Sequence, residues 1–144
     1  MTTFSASVNA WVLKSQRRMD FVFRESVQDV IEVMQKPVGA GGNMPVDSGF
    51  MRASLDVKNG SMPTGFKTKT KSEPGSYVLS DVAYTLTINK AKAGDVLYAV
   101  YLANYAWFQE YGSNGRDGRA FVRLAAMQWQ RIVAENVRKA QAIK

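Results

Sequence analysis

Apolar residues in the first quarter of the chain recur every three or four positions: Val8, Trp11, Val12, Met19, Val22, Phe23, Val27, Val30, Ile31 and Met34. That spacing marks one face of an α-helix, with Lys14, Arg17, Arg24, Gln28, Asp29 and Glu32 falling largely elsewhere on the wheel. Ser5 or Ser7 is placed to cap its start, and Pro37 followed by Gly39 stops it. About 28 residues at ~1.5 Å each give a helix of roughly 42 Å, longer than an average globular one. Such length suggests packing against something beyond its own domain.

The period then changes. Residues 37–49 form a Gly/Pro-rich connector, in which Asp47 is placed to cap a short turn over residues 48–51. Residues 52–58 alternate as a strand, with Ala53, Leu55 and Val57 on one side, and Asn59-Gly60 signals a turn. The segment 61–76 is read either as a polar edge strand, guarded by Lys67, Lys69 and Lys71, or as an arm that orders on assembly. Alternation of Val78, Val82, Tyr84, Leu86 and Ile88 predicts a strand over 77–88, with 96–102 returning antiparallel to it. Residues 105–112 read as a short helix ended by Gly112, and residues 119–141 as a final helix. In that helix Phe121, Val122, Ala125, Ala126, Trp129, Ile132, Val133 and Val137 share one arc. The expected fold is α+β: an antiparallel sheet of three or four strands packed against a long N-terminal helix and a C-terminal helix, in a single domain over 1–144.

Composition narrows the chemistry. The chain has no Cys and no His, so disulfides, thiolate nucleophiles, zinc ribbons and imidazole bases are closed to it. Any metal would need oxygen ligands. The GAGG run at 39–42 lacks the Lys-Ser/Thr of a phosphate-binding loop. Carboxylates occur singly, and Asp81 and Asp95 look like strand and turn ends rather than an acid–base pair. A catalytic site, a cofactor and a metal are therefore not expected. No run approaches the ~20 apolar residues of a spanning helix, so no membrane partner is expected either.

Charge and aromatics point instead to surfaces. With 19 basic and 12 acidic side chains the chain carries +7, which favours an acidic partner. Residues 96–144 hold seven basic and three acidic groups, an excess of +4, against five and four, or +1, in residues 1–36. Arg123, Arg131 and Arg138 line the polar side of the last helix and join Arg116 and Arg119 ahead of it. This basic face is a candidate for an acidic neighbour or for DNA phosphates, although a solvated helix face is the default for such a stripe. Tyr98, Tyr101, Tyr105, Trp107, Phe108 and Tyr111 are the densest aromatic group. About half are expected to pack the core, and Tyr98, Tyr101, Trp107 and Tyr111 are candidates for a subunit interface together with Lys67, Lys69 and Lys71. Base stacking fits less well, because residues 96–115 contain no Lys or Arg.

Two stretches carry a family pattern. Residues 45–54, PVDSGFMRAS, resemble the P-V-D-T-G-x-L-R-x-S segment of tail-completion, or neck, proteins of long-tailed bacteriophages. Residues 104–113, NYAWFQEYGS, are similar to their second block, built around Y-A-x-x-x-E-x-G, and 115–123 to the turn opening their last helix. Ser48 stands where Thr is usual, Met51 where Leu is, and the last turn lacks its common proline. The resemblance implies a non-enzymatic virion protein of the head–tail junction, assembled in the host cytoplasm. It further implies self-assembly into a ring of six copies, contact with other connector and tail proteins, and genomic DNA passing through the channel. Asp47, Gly49, Arg52, Glu110 and Gly112 are its motif residues here, and Arg52 and Glu110 are expected to form an ion pair fixing the two blocks together. A tail-terminator or head-side connector ring is the nearest alternative, and a stand-alone basic nucleic-acid-binding protein the alternative from another class.

Overall fold

The computed structural model describes residues 3–143; Lys144, counted in the C-terminal charge excess, lies outside them. Helix α1 (Phe4–Gln35) runs for 32 residues, about 48 Å at the usual rise. Its cap is neither Ser5 nor Ser7 but Thr3, whose Oγ1 accepts from the Ala6 amide at 3.1 Å. At its other end Lys36 turns extended ahead of Pro37, as the sequence requires. The free carbonyl of Gln35 accepts from Arg52 Nε at 2.9 Å, and Gln35 Nε2 donates back to the Arg52 carbonyl at 3.1 Å.

Residues 50–53 form a single helical turn, α2 (Phe50–Ala53), leading into β1 (Leu55–Asn59). The strand therefore starts later than the alternation suggested, and Ala53 belongs to the turn. Asp47 does not cap α2 through its side chain; Gly49 precedes it, and Phe50 N donates to Ser48 Oγ at 3.3 Å. Strand β1 pairs antiparallel with β2 (Leu97–Tyr101), from Leu55 opposite Tyr101 to Asn59 opposite Leu97.

The strand expected over 77–88 is absent. Val82–Lys90 is helix α3, packed on β1 and α1. Alternation placed Tyr84, Leu86 and Ile88 on one face, but only Tyr84 and Ile88 are buried, the i, i+4 pair of a helical stripe. Thr87 Oγ1 donates to the Ala83 carbonyl at 3.2 Å, a bond that satisfies a β-branched side chain within a helix. The fold is α+β, but its sheets have two strands each, β1–β2 and a small hairpin, instead of one sheet of three or four.

Helix α4 (Ala106–Tyr111) ends at Gly112, as expected, and the hairpin of β3 (Gly112–Ser113) and β4 (Arg116–Asp117) follows. The last helix is broken. Helix α5 (Phe121–Ala126) and helix α6 (Trp129–Gln141) meet at Met127 and Gln128. The buried stripe of α6 is Ile132, Asn136 and Ala140, while Ala126, Trp129 and Val137 of the expected arc are exposed. Helix α6 runs antiparallel to α1: Asn136 Nδ2 donates to Ser26 Oγ at 3.2 Å and to Asp29 Oδ2 at 2.9 Å, and Arg18 Nη2 reaches the Ile143 carbonyl at 2.8 Å. One core cluster gathers Ile31, Val57, Tyr84 and Ile88 between α1, β1 and α3, and the other gathers Met44, Phe50, Met51, Ala103 and Phe121.

Candidate functional site

The two motif stretches, separated by about fifty residues in sequence, pack as one unit in the second core cluster. Ser54 Oγ accepts from the Ala103 amide at 3.1 Å, and Leu102 N donates to the Ser54 carbonyl at 3.2 Å. The Phe50 ring lies 6.1 Å from that of Tyr105 and 5.0 Å from that of Tyr77. Gly49 sits at φ +85 with the Tyr77 carbonyl against the place a Cβ would occupy, so only glycine allows this approach.

Arg52 and Glu110 do not pair. Arg52 caps α1 through Gln35, and Glu110, 6% exposed, is turned the other way into the start of α5. Its carboxylate accepts from Val122 N at 2.9 Å, from Arg123 N at 3.0 Å and from Arg123 Nε at 3.0 Å. Arg123 Nη2 in turn donates to the Glu110 carbonyl at 2.8 Å. Two orphan amides of a helix start and one guanidinium N–H thus share one buried carboxylate, while a second guanidinium N–H holds the Glu110 backbone carbonyl. The charge that locks block to block is between α4 and α5, and Arg123 leaves the stripe to which its position on the wheel assigned it. Its guanidinium also lies 4.3 Å from the centre of the Tyr111 ring, a cation–π contact.

The remaining basic residues divide. Arg131 pairs with Glu135 at 2.8 Å along α6, whereas Arg138 is exposed on the same helix, and Arg116 and Arg119 are exposed at and after the hairpin. The Lys-rich segment forms no edge strand. It makes one isolated parallel bridge, Lys67 to Ala103, with Lys67 N donating to the Leu102 carbonyl at 2.7 Å. The Tyr77 hydroxyl gathers the next residues, accepting from Thr70 N at 2.8 Å and Lys71 N at 3.0 Å. Bonding to Thr70 in particular lowers the Tyr77 pKa below its ordinary value. Lys69 Nζ stands 5.9 Å from the Tyr105 ring centre.

The aromatic candidates separate as well. Tyr101 is largely buried against Phe121 and donates to Gln35 Oε1 at 2.6 Å, which removes it from the list of surface contacts. Tyr98, Trp107 and Tyr111 remain exposed, and the Trp107 and Tyr111 rings pack at a tilt with centres 4.2 Å apart. Beside them an apolar groove of about 350 Å³ runs between β2 and α4, lined among others by Phe66, Val100, Trp107, Tyr111 and Val122. Phe66, 84% exposed, was not singled out by sequence, because a lone Phe in a polar segment carries no periodicity.

Carboxylates are used locally. Asp95 accepts from Lys92 N at 2.8 Å and from Asn59 Nδ2 at 3.1 Å, which lowers its pKa, and Asp20 accepts from Ala93 N at 2.8 Å. Among the described residues no three acidic side chains come together as a metal site, and no helix is long and apolar enough to cross a membrane. Comparison with protein families, with curated proteins and with solved structures finds no match to this chain.

Proposed function

We propose that this chain is a structural virion protein of a tailed bacteriophage, a ring-forming tail-completion or neck component that joins the tail to the head connector. One observation carries the reading: among the described residues the four most exposed aromatic side chains stand at two separated places. Phe4 is 85% exposed and Trp11 66% at one end of α1, while Trp107 is 66% exposed beside Phe66 on α4's side. Scattered apolar residues are normal on a monomer, but clusters of this kind mark contact surfaces. The convergence of the two motif stretches into one packed unit supports the family resemblance on which the phage assignment rests.

In this reading the chain works by shape and surfaces rather than by chemistry at a site. Six copies form the ring and stack on other connector and tail proteins. Lys69, Lys71, Arg116, Arg119 and Arg138 present positive charge to an acidic neighbouring ring or to DNA in the channel. Native mass measurement with electron microscopy of the purified chain tests this. The expected result is a closed ring of six 16.0 kDa chains, about 96 kDa, with a central opening. A monomer that binds short duplex tightly, with affinity falling steeply as salt rises, overturns it in favour of a stand-alone nucleic-acid-binding protein.

A further inference from the structure

We propose that the free end of α1 from one copy docks into the β2–α4 groove of the next, so that copies join head to tail. The proposal deepens the ring reading and rests on it for self-association. Its first ground is the helix end. Residues 4–14 of α1 are exposed on every face: α6, which with α5 and α3 packs on the later part of α1, ends at Gln141, and Arg18 bonds the Ile143 carbonyl just beyond it. On that free end Phe4, Val8 and Trp11 fall at i, i+4 and i+7, the spacing of anchors that an amphipathic helix lays into a groove.

The second ground is the groove. It is mostly apolar, and its volume of about 350 Å³ is of the size to take one indole and a smaller side chain. The third ground decides who fills it. Tyr101 lines the groove and bonds Gln35 at the far end of α1. From Trp11 to Gln35 is 24 residues, about 36 Å of continuous helix. A chain therefore cannot fill its own groove with its own helix end, and an occupant with the right anchors is a second copy of the same chain. Because donor and acceptor surfaces differ, the contact is heterologous, the kind that generates rings or filaments rather than two-fold dimers. A contact made by a few helical turns lies at the small end of specific interfaces. Closure, which gives every copy two such contacts, then stabilises what a single pair holds weakly.

The absence of cysteine allows a clean test. Ser7→Cys places a thiol beside the anchors, and Asn104→Cys places one on the groove rim. Mixing the two variants under mild oxidation is expected to give a cross-linked pair that neither variant gives alone. A disulfide formed by Ser7→Cys alone would show helix ends pairing with each other and overturns the proposal. Rings of native mass without the mixed cross-link overturn this contact and leave the ring reading standing; a monomer without it overturns both. In parallel, Trp11→Asp is expected to leave the circular dichroism spectrum intact and to weaken self-association at least ~30-fold, as loss of a buried aromatic anchor does. Unchanged association overturns the proposal.

Discussion

Glu110 joins α4 to the start of α5 through one carboxylate. Two backbone amides and one guanidinium depend on its carboxylate, and none has another side-chain acceptor among the described residues. Glu110→Ala leaves the two amides without their acceptor, while the half-exposed guanidinium keeps the residue 110 carbonyl and solvent, so unfolding free energy is expected to fall by about 1–3 kcal/mol in urea melts. Glu110→Gln, which keeps one acceptor oxygen, is expected to cost less. Tyr101 sets a pH dependence. Burial first, with the neighbouring Tyr84 adding to it and Arg52 opposing, holds its phenol well above the ordinary tyrosine range. Tyr84 and Tyr105 are shifted up by their own burial. A raised folded-state value means that the folded protein keeps a proton the unfolded chain releases. The stabilisation is therefore complete below about pH 10 and is lost as pH rises further. Denaturant midpoints measured from pH 8 to 11 are expected to fall at the alkaline end, and less steeply in Tyr101→Phe.

At the scale of elements, α3 is where pattern and fold diverge, and the divergence is testable. In a strand Leu86 and Ile88 share a face; in α3 Ile88 is buried and Leu86 is not. Ile88→Ala is expected to cost about 2–4 kcal/mol, and Leu86→Lys less than about 1 kcal/mol, by the same melts. Equal costs would restore the strand. Legibility followed from how many residues carried each signal. The α1 stripe extends over many turns and its end is fixed by Pro37, so the helix is legible; its cap and its start are not, nor is the exposure of Val8, Trp11, Val12 and Met19. The apolar run 82–88 is short enough that a period of two and a spacing of four both fit, and packing against β1 decides between them. The return of 96–102 was read correctly, but its partner is β1, because strand pairing is a long-range choice that local alternation does not encode. Gly49 and Gly112 were legible as turn points. The Glu110–Arg123 lock was not, since both residues were visible but the exchange of partners depends on how α4 meets α5.

For the whole molecule, α1 joins two ends that do different things: packed into the core at Gln35, it stands free at Phe4. Between them the backbone is one uninterrupted helix, so the direction in which the free end's anchors face is fixed relative to the groove by residue count alone. In the proposed head-to-tail contact the helix sets the phase between anchor and groove. Inserting one alanine after Gln16 turns Phe4, Val8 and Trp11 by about 100° and moves them about 1.5 Å, without touching the half that α6 covers. The fold should survive, by circular dichroism and melting point, while native mass shows closure lost. Seven inserted residues restore the facing to within about 20° and lengthen the reach by about 10 Å. The copies that then assemble are expected to close at a different number or not to close at all. In such a ring the circumference is written in the sequence as a count of residues between an anchor and a core.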